Sequence, residues 1–113
     1  GDVFDAARCN VGESGFGGTT PVGVFAHGAS PYGCLDMAGN VWEWTRSLYR
    51  SYPYDPSDTI REDLEAQGNR VVRGGSWYLH RGGARCAYRY GFRPGLRGDD
   101  LGFRVVLRSS PVL

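Results

Sequence analysis

The sequence predicts a small α+β domain in which loops outnumber helices and strands. Glycine makes up 18 of the 113 residues, more than twice its usual share of about 7%, and this favours tight turns over long helices. Alternating β-branched and apolar residues predict short antiparallel strands at 70–73 and 102–107. We therefore expect coil over more than half of the residues and helix over less than a third.

Composition and charge exclude several function classes. The formal net charge is +1, with 41% hydrophobic and 22% charged residues, so the chain is globular and nucleic acid is not an expected partner. No apolar run approaches the roughly 20 residues that cross a bilayer, so no membrane span is expected. The sequence shows no basic-plus-apolar leader, and the location stays open between the cytoplasm and a cell surface reached through further segments.

The cysteines and the largest aromatic residues are candidates for the core. The chain has three cysteines, and an odd number cannot pair completely, so we expect no disulfide framework. No Cys-x-x-Cys pattern points to zinc, and we expect Cys9, Cys34 and Cys86 to be small buried side chains. Four large aromatic residues are also expected to be buried: Trp42, Trp44, Trp77 and Phe103.

The chain divides into three zones without internal repeats. Residues 1–34 are rich in Gly, Ser, Thr and Pro and predict irregular structure that still packs down. Residues 35–77 contain all three tryptophans and a polar segment at 55–69 that predicts an exposed excursion. Residues 78–113 return to Gly and Arg and predict long loops before a terminal strand.

Four motifs occur in an order that is specific to one family. They are Asp-Met-Ala-Gly-Asn-Val-Trp-Glu-Trp at 36–44, Arg-Gly-Gly-Ser-Trp at 73–77, the pair Arg85 and Arg89, and Gly-Phe-Arg at 102–104. Together they resemble the formylglycine-generating-enzyme/sulfatase-modifying-factor family. The resemblance implies a loop-rich C-type-lectin-like fold with little helix. It covers nearly all of residues 1–113, which we interpret as a single domain matching the C-terminal part of a family domain.

The resemblance also bears on catalysis. The family's oxidases convert a sulfatase cysteine to formylglycine with two cysteines of their own, the first placed two residues after the Gly-Gly-Ser-aromatic motif. Leu79 stands at that position, and residues 81–84 contain no cysteine. Copper chemistry of this kind needs soft sulfur ligands, so we expect no copper and assign no catalytic residue. An oxidoreductase of this family, or its accessory subunit, remains the alternative function.

A calcium site is implied at the first motif. Hard cations take six to eight oxygen ligands, often carboxylates and carbonyls from one bent segment. The family pattern implies structural Ca²⁺ on the side chains of Asp36 and Glu43 and on the carbonyls of Gly39 and Val41. The alternative is a role without metal, in which Glu43 caps a turn or pairs with an arginine. A second family site falls on Asn10, Val11, Ser14 and Phe16, where Ser14 replaces the acidic ligand, so the first site is favoured.

The segment 78–100 bears a further resemblance, to the variable regions of variable proteins from diversity-generating retroelements. Their fixed residues resemble Arg85, Ala87, Arg89, Pro94 and Arg97. Adenine mutation of an Asn codon cannot produce Lys, Glu, Gln, Met or Trp, and none of these occurs in the segment. The candidate ligand-binding residues are Tyr78, Leu79, His80, Tyr88, Tyr90, Gly91, Phe92, Gly95, Leu96, Gly98, Asp99 and Asp100.

These residues predict a non-catalytic ligand-binding domain whose partner is a protein or another macromolecule. Tyrosine and phenylalanine supply rigid contact area, as in antibody paratopes. We expect one exposed face made of Tyr78, His80, Tyr88, Tyr90, Phe92, Leu96, Asp99 and Asp100. Beneath it we expect Trp77, Arg85, Arg89 and Phe103. The alternative is that Tyr88, Tyr90 and Phe92 belong to the core.

Overall fold

The computed structural model describes residues 2–110, which form one small mixed sheet surrounded by loops. The strands are β1 (Trp42–Leu48), β2 (Arg70–Arg73), β3 (Tyr90–Phe92) and β4 (Leu101–Gly102), in the order β3-β2-β1-β4. β1 and β3 run antiparallel to β2, whereas β4 runs parallel to β1. Three 3₁₀ helices lie outside the sheet, at Gly12–Ser14, Ala26–Gly28 and Arg81–Ala84. The predicted loop-rich α+β class is confirmed.

The register gives the sheet two faces. Side chains alternate along a strand and directly opposed residues share a face. We call the front face the one that carries Trp42, Trp44, Val72, Tyr90 and Phe92. The rear face carries the residues that alternate with them: Glu43, Thr45, Val71, Arg73 and Gly91. A bulge follows the middle of β1, where the register shifts before its last residue pairs with β2.

The core lies where β1 and β2 meet the N-terminal loops. The buried hydrophobic residues are Cys9, Val11, Phe25, Trp42, Leu48, Val71 and Val72. Trp42 is 1% exposed, and burial of such a ring is a large hydrophobic contribution. The loops are fixed by backbone hydrogen bonds: the Asn40 N–H donates to the Asn10 carbonyl at 2.7 Å. Gly39 has φ +79°, and a Cβ there would lie 2.4 Å from the Asn10 oxygen, so only glycine fits.

The polar segment at 55–69, which follows β1, is hydrogen-bonded to the sheet, although its composition predicts an exposed loop. The buried Arg70 guanidinium donates to the carbonyls of Arg46, Asp63, Leu64 and Ala66 at 2.6–3.2 Å. The Leu48 N–H donates to the Arg61 carbonyl at 2.8 Å. Arg70 therefore supplies donors to one carbonyl in β1 and to three in the polar segment.

One predicted strand is confirmed and the other is largely wrong. The strand at 70–73 has the predicted bounds. The strand predicted at 102–107 is reduced to the two residues of β4, and Phe103 is 75% exposed instead of buried. A strand needs a hydrogen-bonded neighbour as well as a suitable pattern. After Gly102, Arg104 instead turns towards Glu43, and no strand in the described residues pairs with 103–107.

Burial of the other core candidates is mixed. Trp42 and Cys9 are buried as expected, whereas Trp44 and Trp77 are only half-buried. The predicted burial of Cys34 and Cys86 is wrong, because both thiols are exposed. Cys34 closes a surface turn by accepting a hydrogen bond from Ser30 N–H at 2.8 Å, and Cys86 follows a short helix on the surface. The helices within residues 2–110 have three or four residues each, too few to cross a membrane.

Candidate ligand surface and calcium site

Three aromatic rings from the variable-like segment stand on the front face of the sheet. Tyr88 and Tyr90 lie with their ring centroids 5.9 and 6.4 Å from that of Trp42. Phe92 lies 6.3 Å from Trp44 and 5.2 Å from Tyr90, edge to face in both cases. Tyr90 is 47% exposed, and its two neighbours are half-buried. The three rings therefore pack on tryptophan without being fully buried, and Tyr90 is the most exposed of them.

The residues after the Gly-Gly-Ser-Trp motif have a fixed backbone and outward side chains. The Leu79 carbonyl accepts from the Gly12 N–H at 2.8 Å. His80 caps the third 3₁₀ helix, because its Nδ1 accepts from the Gly82 N–H at 3.0 Å. Tyr78 is 71% exposed and contacts Trp77 edge-on, with centroids 5.7 Å apart. The side chains of Tyr78 and Leu79 can therefore change without removing the backbone hydrogen bond at Leu79, whereas a change of His80 removes the cap.

The two aspartates differ in role. Asp99 is exposed, and its carbonyl accepts a long hydrogen bond of 3.4 Å from Trp77 Nε1. Asp100 is half-buried, its Oδ2 accepts from Ser76 Oγ at 2.8 Å, and its carbonyl accepts from the Trp42 N–H at 2.7 Å. Asp100 thus holds the loop before β4 against β1, whereas Asp99 is available to a ligand.

The glycines and the leucine of the candidate set are also divided. Gly95, Leu96 and Gly98 are exposed on the loop between β3 and β4. Gly91 belongs to the rear face, where a Cβ would lie 2.6 Å from Cγ of Tyr49. The ring of Tyr49 covers this position, so the structure does not bring Gly91 together with Tyr90 and Phe92.

Arginines anchor the segment, but only one of the two that the sequence indicated does so. Arg89 is half-buried, and its guanidinium lies 4.6 and 4.0 Å from the ring centroids of Tyr49 and Tyr52. Arg85 is exposed rather than buried: its Nε donates to the Gly82 carbonyl at 3.0 Å, and its guanidinium lies 5.8 Å from the Tyr88 ring centroid. Arg73 is the anchor that sequence reasoning missed: it donates to the carbonyls of Cys86 and Tyr88 at 3.2 and 3.4 Å. The only sequence signal for this role was the position of Arg73 directly before Gly74 and Gly75.

The first candidate metal-binding segment contains two carboxylates that differ in their hydrogen bonding: Asp36 and Glu43. Asp36 is half-buried, has φ +54°, and its Oδ2 is buried without a hydrogen-bond partner in the described residues. Burial raises the pKa of the Asp36 carboxyl, and Arg104 opposes that rise. Glu43 accepts from Nε and Nη2 of Arg104 at 2.5–2.9 Å, and the same guanidinium donates to the Leu35 and Asp36 carbonyls. The pairing of Glu43 with an arginine is therefore present.

A cation at this segment would need oxygen ligands from both side chains and backbone. The orphaned Asp36 oxygen is the feature that a cation would satisfy. A carboxylate has about four lone-pair sites, so Glu43 keeps acceptor capacity beside Arg104. Residues 2–110 contain no group of three or more His, Cys, Asp and Glu side chains suited to a metal. A site here depends on carbonyls such as those of Gly39 and Val41.

The second metal segment serves the packing of the N-terminal loop. The buried Asn10 amide donates to the Gly18 carbonyl at 2.8 Å and to Thr20 Oγ1 at 3.2 Å, while its Oδ1 has no partner in the described residues. Ser14 Oγ is engaged, since it donates to the Cys9 carbonyl at 2.6 Å and accepts from the Val11 N–H at 3.1 Å. Phe16 is exposed and packs edge-on against a neighbouring phenylalanine. Ser14 thus closes a turn, as its uncharged side chain allows.

The sequence of this chain is similar to known proteins over most of its length. Residues 3–109 match the model of the sulfatase-modifying factor enzyme 1-like domain. The chain is 37% identical over 107 residues to serine/threonine-protein kinase pkn1 of Chlamydia caviae, covering 92% of the chain and 16% of that protein. It is 36% identical over 106 residues to the formylglycine-generating enzyme of Mus musculus, covering 90% of the chain and 28% of that protein.

A solved structure agrees with the sequence comparisons. Variable protein 1 of Treponema denticola superposes with a TM-score of 0.64 at 33% identity, over 86% of this chain and 34% of that one. The chain spans about a third or less of each of these proteins. The fold of this chain is loop-rich and C-type-lectin-like, and the chain belongs to the sulfatase-modifying factor enzyme 1-like domain family.

Proposed function

We propose that this chain is a non-catalytic recognition domain whose ligand surface is the front-face aromatic cluster together with the loop that follows Trp77. The observation that carries this proposal is Tyr90, which is 47% exposed although its backbone is paired in β3 and its ring rests on buried Trp42. A rigid backbone that presents aromatic edges suits a protein or another macromolecule as the partner, because little side-chain freedom is lost on binding.

Two further observations support recognition over oxidation. The position where family oxidases carry their first catalytic cysteine holds Leu79, whose carbonyl is fixed by Gly12. The likeness to variable protein 1, at 33% identity over 86% of the chain, also favours a recognition role. The alternative of a sulfatase-modifying oxidoreductase or accessory subunit rests on the identity to the mouse enzyme.

Binding arrays test the recognition surface. The native protein, Tyr90→Ala and Tyr32→Ala are applied to arrays of cell-surface proteins and glycans. Tyr32 is the matched control, because it is 93% exposed on a loop outside the surface. We expect spots that bind the native protein and Tyr32→Ala, with Tyr90→Ala weaker by at least about tenfold, as for an interface anchor. Binding that is indifferent to Tyr90, or conversion of a sulfatase-derived cysteine peptide to formylglycine, contradicts the proposal.

We also propose that Asp36, Glu43 and the carbonyls of Gly39 and Val41 hold a structural Ca²⁺, with the segment of Asn10, Val11, Ser14 and Phe16 as the weaker candidate. The orphaned Asp36 oxygen supports this, because a buried carboxylate without a partner is destabilising. The ion would supply charge to this segment, while Arg104 continues to orient Glu43.

Calcium removal tests that site. We expect Ca²⁺ to raise the melting temperature of the native protein and a chelator to reverse the rise. Asp36→Asn should remove the calcium response and, in chelator, melt no lower than the native protein, because it removes an unpaired buried charge. Asp99→Asn, an exposed aspartate elsewhere, should keep the response. A native melting temperature that is independent of Ca²⁺ contradicts the site.

A further inference from the structure

The rear face of the sheet carries a cavity that the recognition surface does not use. Its volume is about 230 Å³. Thr45 and Val71 lie at the sheet, and the rings of Tyr52 and Tyr54 come from the loop after β1. The rest of the lining consists of one serine, three arginines and one acid: Ser47, Arg61, Arg73, Arg89 and Glu62. The cavity is thus aromatic and cationic, and it lies across the sheet from Tyr90 and Phe92.

Arg61 is the unexplained group in this cavity. It is 6% exposed, and its Nε is buried without a hydrogen-bond partner in residues 2–110. Its guanidinium stacks 4.9 Å from the Tyr54 ring centroid but makes no ion pair with any described acid. Removing a charged group from water without giving it an acceptor is unfavourable. A bound anion would therefore supply the hydrogen-bond acceptor that Arg61 lacks.

The nearby acids already have other partners. Glu62 accepts from Ser47 Oγ at 2.5 Å and pairs with Arg46 at 3.4 Å. Asp58 binds Arg50 at 2.6 Å and accepts from the backbone N–H of Arg61 rather than from its guanidinium. Three guanidinium groups therefore line the cavity beside a single carboxylate that is in use, and the cavity has a net positive charge.

We propose that this cavity is a binding site for a carboxylate group, with Arg61 as its principal partner and Arg89 beside it. A planar guanidinium pairs with a carboxylate through two parallel hydrogen bonds. The volume is below the roughly 300–1,000 Å³ of pockets that enclose whole small-molecule ligands. It suits a carboxylate on a short stem, either the side chain of an acidic residue or a small dicarboxylate. A phosphate dianion would meet stronger repulsion from Glu62.

Melting temperatures of the intact protein in sodium succinate and in sodium chloride, at equal ionic strength, test the site. The variants are Arg61→Met and, as a matched control, Arg97→Met, an exposed arginine outside the cavity. We expect succinate to raise the melting temperature of the native protein and of Arg97→Met by several degrees more than chloride, and to have no such effect on Arg61→Met. Should Arg61→Met not fold, Arg61→Lys is used, and it should show a reduced succinate effect because it lacks the paired donors.

N-acetylaspartate amide, tested beside succinate, separates the two sources of the carboxylate. If the ligand is the side chain of an acidic residue of another protein, N-acetylaspartate amide gives the larger Arg61-dependent rise; if it is a small dicarboxylate, succinate does. No rise with either compound overturns the proposal. Removing a buried guanidinium that binds no anion should leave the melting temperature equal or higher. That result, combined with a succinate effect independent of Arg61, overturns the proposal. A phosphate effect that depends on Arg61 and exceeds that of succinate overturns the assignment to a carboxylate.

Discussion

The two faces of this sheet use aromatic rings in opposite ways. On the front face, Tyr88, Tyr90 and Phe92 pack on tryptophan, and the exposed Arg85 lies 5.8 Å from the Tyr88 ring centroid. On the rear face, Tyr49 and Tyr52 enclose the guanidinium of Arg89. Front-face rings therefore contribute surface that the fold holds by its backbone, whereas rear-face rings position charge. The difference shows how one short sheet can keep an exchangeable surface and a fixed polar interior.

The largest effect should come from the base of the front face. Trp42→Ala removes a ring that is 1% exposed and on which Tyr88 and Tyr90 rest. We expect a loss of about 3–5 kcal/mol in the free energy of unfolding, from lost burial and the cavity left behind. Denaturant unfolding of the intact protein measures it, with Trp42→Phe as the conservative control. A loss as small as that of Tyr90→Ala would show that Trp42 is not the base of this face.

An intermediate effect is expected on the rear face. Arg89→Met keeps the length of the side chain but removes the charge enclosed by two tyrosines and the hydrogen bond to the Arg50 carbonyl. We expect a loss of about 2 kcal/mol in the free energy of unfolding. Arg93→Met, at an exposed position on the same segment, should lose much less. Equal losses in the two variants would mean that the tyrosines do not hold Arg89.

The smallest stability effect should belong to the exposed front-face ring. Tyr90→Ala removes edge contacts with Trp42 and Phe92, but β3 keeps its backbone pairing with β2. The expected loss is about 1 kcal/mol, and the variant should retain the native circular dichroism spectrum. If Tyr90→Ala destabilises the protein more than Arg89→Met, the front face is core and the contrast between the faces is wrong.

The sequence predicted the parts of the fold whose signals are local. The strand at 70–73 has an alternating pattern that ends at two glycines, and Gly74 and Gly75 have φ +94° and +73°, which end the strand. The strand predicted at 102–107 failed because pairing is not local. Val105, Val106 and Leu107 are apolar, yet they are exposed and have no neighbouring strand in the described residues.

The candidate sites were predictable to a different extent. The exposure of Tyr78 and Tyr90 could be predicted from the sequence, because both are large residues in a segment rich in glycine. The buried arginines could not be predicted, because the sequence around an arginine does not show what its guanidinium will contact. The guanidinium of Arg70 donates to carbonyls, whereas Nε of Arg61 has no acceptor in the described residues. The pairing of Glu43 with Arg104 joins positions 61 residues apart, and only the fold brings them together.

Gly91 has a consequence for anyone who diversifies this surface. Tyr90 and Phe92 are separated by a residue whose Cβ would lie 2.6 Å from Cγ of Tyr49, at the rigid base of that ring. Along β3, useful variation is therefore restricted to alternate codons, and a library that randomises the middle one consists mostly of members that push Tyr49 off the rear face. A library that keeps Gly91 fixed samples the same surface with far fewer sequences and a larger folded fraction.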